Sequence, residues 1–142
     1  MMKIKREVYE KILYSCPYVP PEMGGILGGH SETIDTAVFD EGEMISESAV
    51  YIPNVNKLNN VLAHWQREGI SFYGLFHSHL WGQETLSQDD IEYINRIMLS
   101  LPRTVSLLYF PIVIPKSHII FYKAKNQNHN ISISRDKIKI VP

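Results

Sequence analysis

The segment from Ile70 to Phe76, ISFYGLF, constrains this chain most, because it runs directly into His77-Ser78-His79. A short, nearly continuous apolar run of this length suits a strand buried on both faces. Helical patterns flank it. From Val55 to Glu68 the apolar residues Leu58, Val61, Leu62 and Trp65 share one face, and Gly69 ends the pattern. A second amphipathic helix is predicted from Ser87 to about Leu99, with Pro102 breaking it. A buried strand between two one-faced helices predicts a sheet covered by helices.

The remaining segments fit that plan. Val8, Ile12 and Leu13 recur at helical spacing between Lys5 and Ser15, and the prolines at 17, 20 and 21 end that helix. Residues 22–30, EMGGILGGH, read as a glycine-rich strand, with 33–40 as its hairpin partner across a polar turn. Glycines at 24, 25, 28 and 29 imply a bulge or a close approach of backbone, helix or ligand. An extended piece is expected at 49–52, and four strands near 104–110, 117–123, 129–134 and 137–141. The expectation is one domain over 1–142 of α/β (α+β) class, a mixed, mostly antiparallel sheet flanked by helices.

Bulk properties narrow the partners. Fourteen basic and fifteen acidic side chains leave a net charge of −1, which argues against a nucleic-acid binder. No apolar stretch approaches the roughly 20 residues that span a bilayer, and the N-terminus lacks the apolar run of a secretory signal. The lone Cys16 cannot form an internal bridge and fits a reducing compartment. A cytoplasmic protein without membrane or nucleic-acid partners is expected.

The chemistry concentrates in His77-Ser78-His79 and the residues up to Asp90. Two histidines separated by one residue on a strand point their imidazoles to the same side. Asp90 falls one turn into the next helix and faces back across the loop. Three protein ligands leave a fourth tetrahedral position for water, the arrangement of a catalytic zinc site. Ser87 and Asp90 also have the spacing of a capping box, which would fix the helix that presents Asp90.

This spacing resembles that of the JAMM (MPN-plus, or JAB) metallopeptidases: an upstream glutamate, His-Ser/Thr-His, seven residues, then Ser-x-x-Asp. His77, Ser78, His79, Ser87 and Asp90 stand at those positions, and Glu22 precedes a glycine-rich strand as the family's glutamate does. The likeness covers about residues 5–125 and implies a JAB/MPN-like (cytidine-deaminase-like) sandwich. It implies Zn2+ held by His77, His79 and Asp90, with Glu22 as general base and Ser87 as hydrogen-bond donor to the oxyanion. Leu80-Trp81 replaces the proline that many members carry after the second histidine, so loop shape does not carry over.

The chain lacks the long insertions of the eukaryotic deubiquitinating members and is similar to the compact prokaryotic ones. That likeness implies hydrolysis of a peptide or isopeptide bond after the C-terminal tail of a ubiquitin-like or sulfur-carrier protein. The tail would be held as an added strand at a sheet edge. The competing expectation is a catalytically inactive scaffold of the same fold, which would bind no zinc. Deamination is disfavoured, since zinc deaminases use paired cysteines with a histidine. His30, His64, His118 and His129 have no motif context and are expected at the surface or in packing.

Overall fold

The computed structural model describes residues 1–19, 22–40 and 53–142. Its elements are β1 (Lys3–Lys5), α1 (Arg6–Ser15), β2 (Gly24–His30), β3 (Thr33–Asp40), α2 (Val55–Glu68) and β4 (Ser71–Ser78). They continue as α3 (Gln88–Ser100), β5 (Leu107–Ile114), β6 (His118–Gln127), β7 (Asn130–Asp136) and β8 (Lys139–Val141). The strands form one sheet in the order β7-β6-β5-β4-β2-β3-β1-β8. The β4–β5, β1–β3 and β1–β8 pairs are parallel, and the other four are antiparallel. The sheet is therefore mixed and mostly antiparallel, as the class expectation required.

Strand alternation sends neighbouring residues to opposite faces. Ile26, Leu75, Ile112 and Ile120 face a core capped by Leu58 and Trp65 of α2 and Ile94 and Met98 of α3. Leu27, Phe76, Val113 and Phe121 face a second core with Val8, Ile12 and Leu13 of α1. The result is a sheet with α2 and α3 on one face and α1 on the other. Each buried aliphatic or aromatic side chain in these cores contributes about 1.5–3 kcal/mol relative to exposure.

The helices end where the sequence says they must. Asn54 caps α2 by accepting from the Lys57 N–H at 3.2 Å, and Gly69 closes it in the left-handed region at φ 76°. Ser31 and Glu32 both take positive φ, the geometry of a two-residue hairpin turn between β2 and β3. Gly28 and Gly74 are among the glycines dictated by close approach. A Cβ at Gly28 would lie 2.5 Å from the Trp65 ring, and one at Gly74 would lie 1.9 Å from the Tyr109 carbonyl oxygen. Register shifts beside Gly28 show that the bulge and the crossing under a helix coincide there.

Three boundaries differ from expectation. β1 was not anticipated, being only three residues that borrow their order from β3 and β8. β4 continues through His77 and Ser78 because β2 and β5 pair with it there. β5 runs through Pro111 to Ile114, with Pro111 opposite Phe121 of β6. Proline lacks an N–H, but both neighbouring strands hold the backbone extended, so it does not end the strand. The extended piece expected at 49–52 lies outside the described residues. No helix among the described residues is long and apolar enough to cross a membrane.

Candidate metal centre

β4, α3 and β5 form a crossover between parallel strands, so the loop after β4 lies at the carboxyl end of that strand. His77 and His79 lie at this end, and Asp90 stands in the first turn of α3. Their ligand atoms converge. His77 Nε2 is 3.0 Å from His79 Nε2, Asp90 Oδ1 is 3.1 Å from His77 Nε2, and Asp90 Oδ2 is 3.1 Å from His79 Nε2. Zinc–ligand bonds of roughly 2.0–2.1 Å at tetrahedral angles imply donors about 3.3 Å apart. The three side chains therefore fit one small cation; His79 is buried, and His77 and Asp90 are partly so. The neighbouring Asp89 is exposed and stands outside the group.

Each donor is held in place. The Nδ1–H of His79 donates to the Gln83 carbonyl at 2.9 Å, so the neutral ring turns its Nε2 lone pair to the group, while the protonated ring donates there to Asp90. The His79 main-chain N–H donates to the Val113 carbonyl of β5 at 3.0 Å. Asp90 belongs to a full capping box. The Ser87 N–H donates to its Oδ2 at 2.9 Å, and the Asp90 N–H donates to Ser87 Oγ at 3.1 Å.

The electrostatics favour positive charge at the centre. Burial opposes protonation of His79, but hydrogen bonds to Asp90 and Gln83 and the charges of Asp90 and Glu22 outweigh it and raise its pKa. Burial acts against the Asp90 anion as well, yet hydrogen bonds from His77 and His79 hold its carboxyl far below the ordinary range. Two imidazole nitrogens and a carboxylate at about 3 Å must share protons or a cation.

The β2–β4 register brings Glu22 to this centre. Gly24 pairs with His77, the Ser78 N–H donates to the Met23 carbonyl at 2.7 Å, and the Met23 N–H donates to Ser78 Oγ at 2.9 Å. Glu22, the residue before Met23, lies near enough to His79 for its charge to help raise the His79 pKa. Glu22 is half-buried and outside the three-donor group. Ser78 is fully buried and serves this strand crossing.

Two features were not legible in the sequence. The Gln83 carbonyl is a main-chain partner and carries no residue-type signal. An apolar groove of about 660 Å³ runs from His77 and Asp90 between α2 and α3, past Leu62, Phe72, Tyr93 and Ile97. The loop answers the question raised by Leu80-Trp81. Leu80 is buried, Trp81 is 80% exposed, and Trp81 and Gly82 both adopt positive φ, at 56° and 70°. The ends of the sheet are β7 and β8. At about 4.8 Å per strand, a strand added beyond β7 would lie roughly 19 Å from β4. Cys16 is buried against α1, and burial pushes its thiol up to about 12, so it offers no nucleophile.

Comparison with known proteins gives the fold. No family model matches the sequence, and no curated protein matches it. The solution structure of a protein from Desulfitobacterium hafniense aligns with a TM-score of 0.65 at 15% identity, covering 99% of this chain and 94% of that one. A protein from Salinibacter ruber aligns with a TM-score of 0.58 at 15% identity, covering 99% and 92%. The likeness is one of architecture.

Proposed function

We propose that the chain is a zinc-dependent peptidase or isopeptidase of JAMM type. The observation that carries this reading is the convergence of His77, His79 and Asp90 beside Glu22, at the head of an apolar groove. Three ligands of this type fit a zinc that retains an open coordination position, unlike the four-ligand structural sites. Zinc held there would acidify a bound water and polarise the scissile carbonyl.

The chain's own residues supply the rest. Glu22, whose charge reaches His79 and which lies outside the ligand set, accepts a proton from the attacking water and delivers it to the leaving amine. Ser87 accepts the Asp90 N–H through an oxygen lone pair, which leaves its O–H to donate to the developing oxyanion. The groove provides apolar walls for a peptide running up to the metal. The proposed substrates are proteins or peptides with an extended tail, of which ubiquitin-like and sulfur-carrier proteins are the class to try first.

The test is incubation of zinc-loaded protein with ubiquitin-like and sulfur-carrier fusions, comparing wild type with Glu22→Gln. We expect cleavage by wild type and a loss of at least about 100-fold in the variant at unchanged zinc content, the scale of a general base. Equal rates would remove Glu22 from the mechanism. No cleavage and no bound zinc, even after zinc is supplied, would favour the scaffold reading.

A further inference from the structure

The loop that follows β4 is anchored at its far end by groups that the proposed chemistry does not use. Tyr122 of β6 has its ring in the core beneath α3. Its hydroxyl donates to the Glu84 carbonyl at 2.9 Å and accepts from Arg135 Nε at 3.3 Å, while the guanidinium lies 5.5 Å from the ring centroid. The Glu84 carboxylate accepts from His118 Nε2–H, and His118 Nδ1 accepts from the Ser117 hydroxyl at 2.7 Å, the tautomer being the one this network requires. Glu84 is thus held twice by β6, through its main chain and its side chain.

Holding Glu84 at both points fixes the peptide group before it, whose carbonyl is that of Gln83. That carbonyl accepts the Nδ1–H of His79. The same hairpin also holds the His79 main chain, through Val113 of β5. We propose that Tyr122, Glu84 and His118 are positioning residues for the metal centre. They aim the Gln83 carbonyl at His79 Nδ1 and so keep the Nε2 lone pair turned toward His77 and Asp90. This inference rests on the reading of His77, His79 and Asp90 as metal ligands. It gives His118 a role that its isolated place in the sequence conceals.

The experiment is zinc affinity by competition with a chromophoric chelator, for full-length wild type, Tyr122→Phe, Glu84→Ala and Glu84→Gln. Tyr122→Phe keeps the ring and loses only the hydroxyl; Glu84→Gln keeps an acceptor for His118. We expect Tyr122→Phe and Glu84→Ala to bind zinc about 10- to 100-fold more weakly, the usual cost of losing a partner that orients a ligand. Glu84→Gln should recover most of the loss. In the metal-free variants, ¹⁵N NMR should show His79 losing its Nδ1-protonated preference, which loop stabilisation alone would not produce. Thermal unfolding of the metal-free proteins checks that each variant is folded at the assay temperature. If Tyr122→Phe does not fold, the exposed Glu84 pair decides.

Affinities of Tyr122→Phe and Glu84→Ala within threefold of wild type, with the His79 tautomer unchanged, would overturn the proposal. Absence of zinc binding in wild type would instead sink the metal reading, and the positioning role with it.

Discussion

Asp90 answers to three groups at once: His77, His79 and the Ser87 N–H. The capping box that starts α3 also aims the carboxylate, so a stabilising device and a candidate ligand share one side chain. Two pKa shifts here give opposite pH dependences. His79 has its folded pKa raised above 6.5, so its contribution to stability is complete below 6.5 and lost as pH rises through the folded value. Asp90 is held below 3.8, so its contribution is present above 3.8 and lost as pH falls through its folded value. Urea unfolding in the presence of a chelator should show these two contributions overlapping between pH 3.8 and 6.5, declining on either side. Zinc needs neutral His79, so its affinity should rise with pH through the His79 titration followed by NMR. A stability profile rising continuously from pH 6 to 9 without metal would contradict the His79 environment described here. At this scale the sequence carried the convergence of His77, His79 and Asp90 well, because side-chain periodicity on a strand and spacing at a cap are local. It could not carry the Gln83 carbonyl or the bond between Glu84 and His118, which lie 34 positions apart.

At the scale of elements, the centre depends on how closely β4 lies to its neighbours. Gly74 admits the Tyr109 carbonyl from β5, and Gly28 admits the Trp65 ring from α2. A Gly74→Ala chain must move β4 away from β5, because the obstructing atom is backbone rather than the end of a flexible side chain. We expect a loss of about 1–3 kcal/mol in unfolding free energy, the ordinary cost of overpacking. Urea midpoints would measure it, and a midpoint equal to wild type would show that the strands have slack there. Helices and the hairpin were legible because their signals are local: the Leu58–Trp65 face, Gly69, the Ser87 cap. The extension of β5 through Pro111 and the existence of β1 were not, because partner strands impose both.

The molecule as a whole is a sheet with a core on each face, its central β2–β4 pair ending at the candidate metal centre. Glu22 precedes His77 by 55 positions in the sequence, and the β2–β4 pairing, with Gly24 opposite His77, brings its charge close to His79. That juxtaposition could be expected from the sequence only through a resemblance. The mixed sheet with helices on both faces followed from pattern alone; its strand order did not, since parallel pairing of β4 with β5 depends on the crossover through α3. The central claim is that His77, His79 and Asp90 hold one zinc ion. Its most direct test is calorimetric zinc titration of the metal-free protein, with His79→Ala and Asp90→Ala alongside. The account predicts one zinc per wild-type chain and at least about 100-fold weaker binding in each variant. Wild type that takes up no zinc, or variants that bind as tightly as wild type, would contradict it.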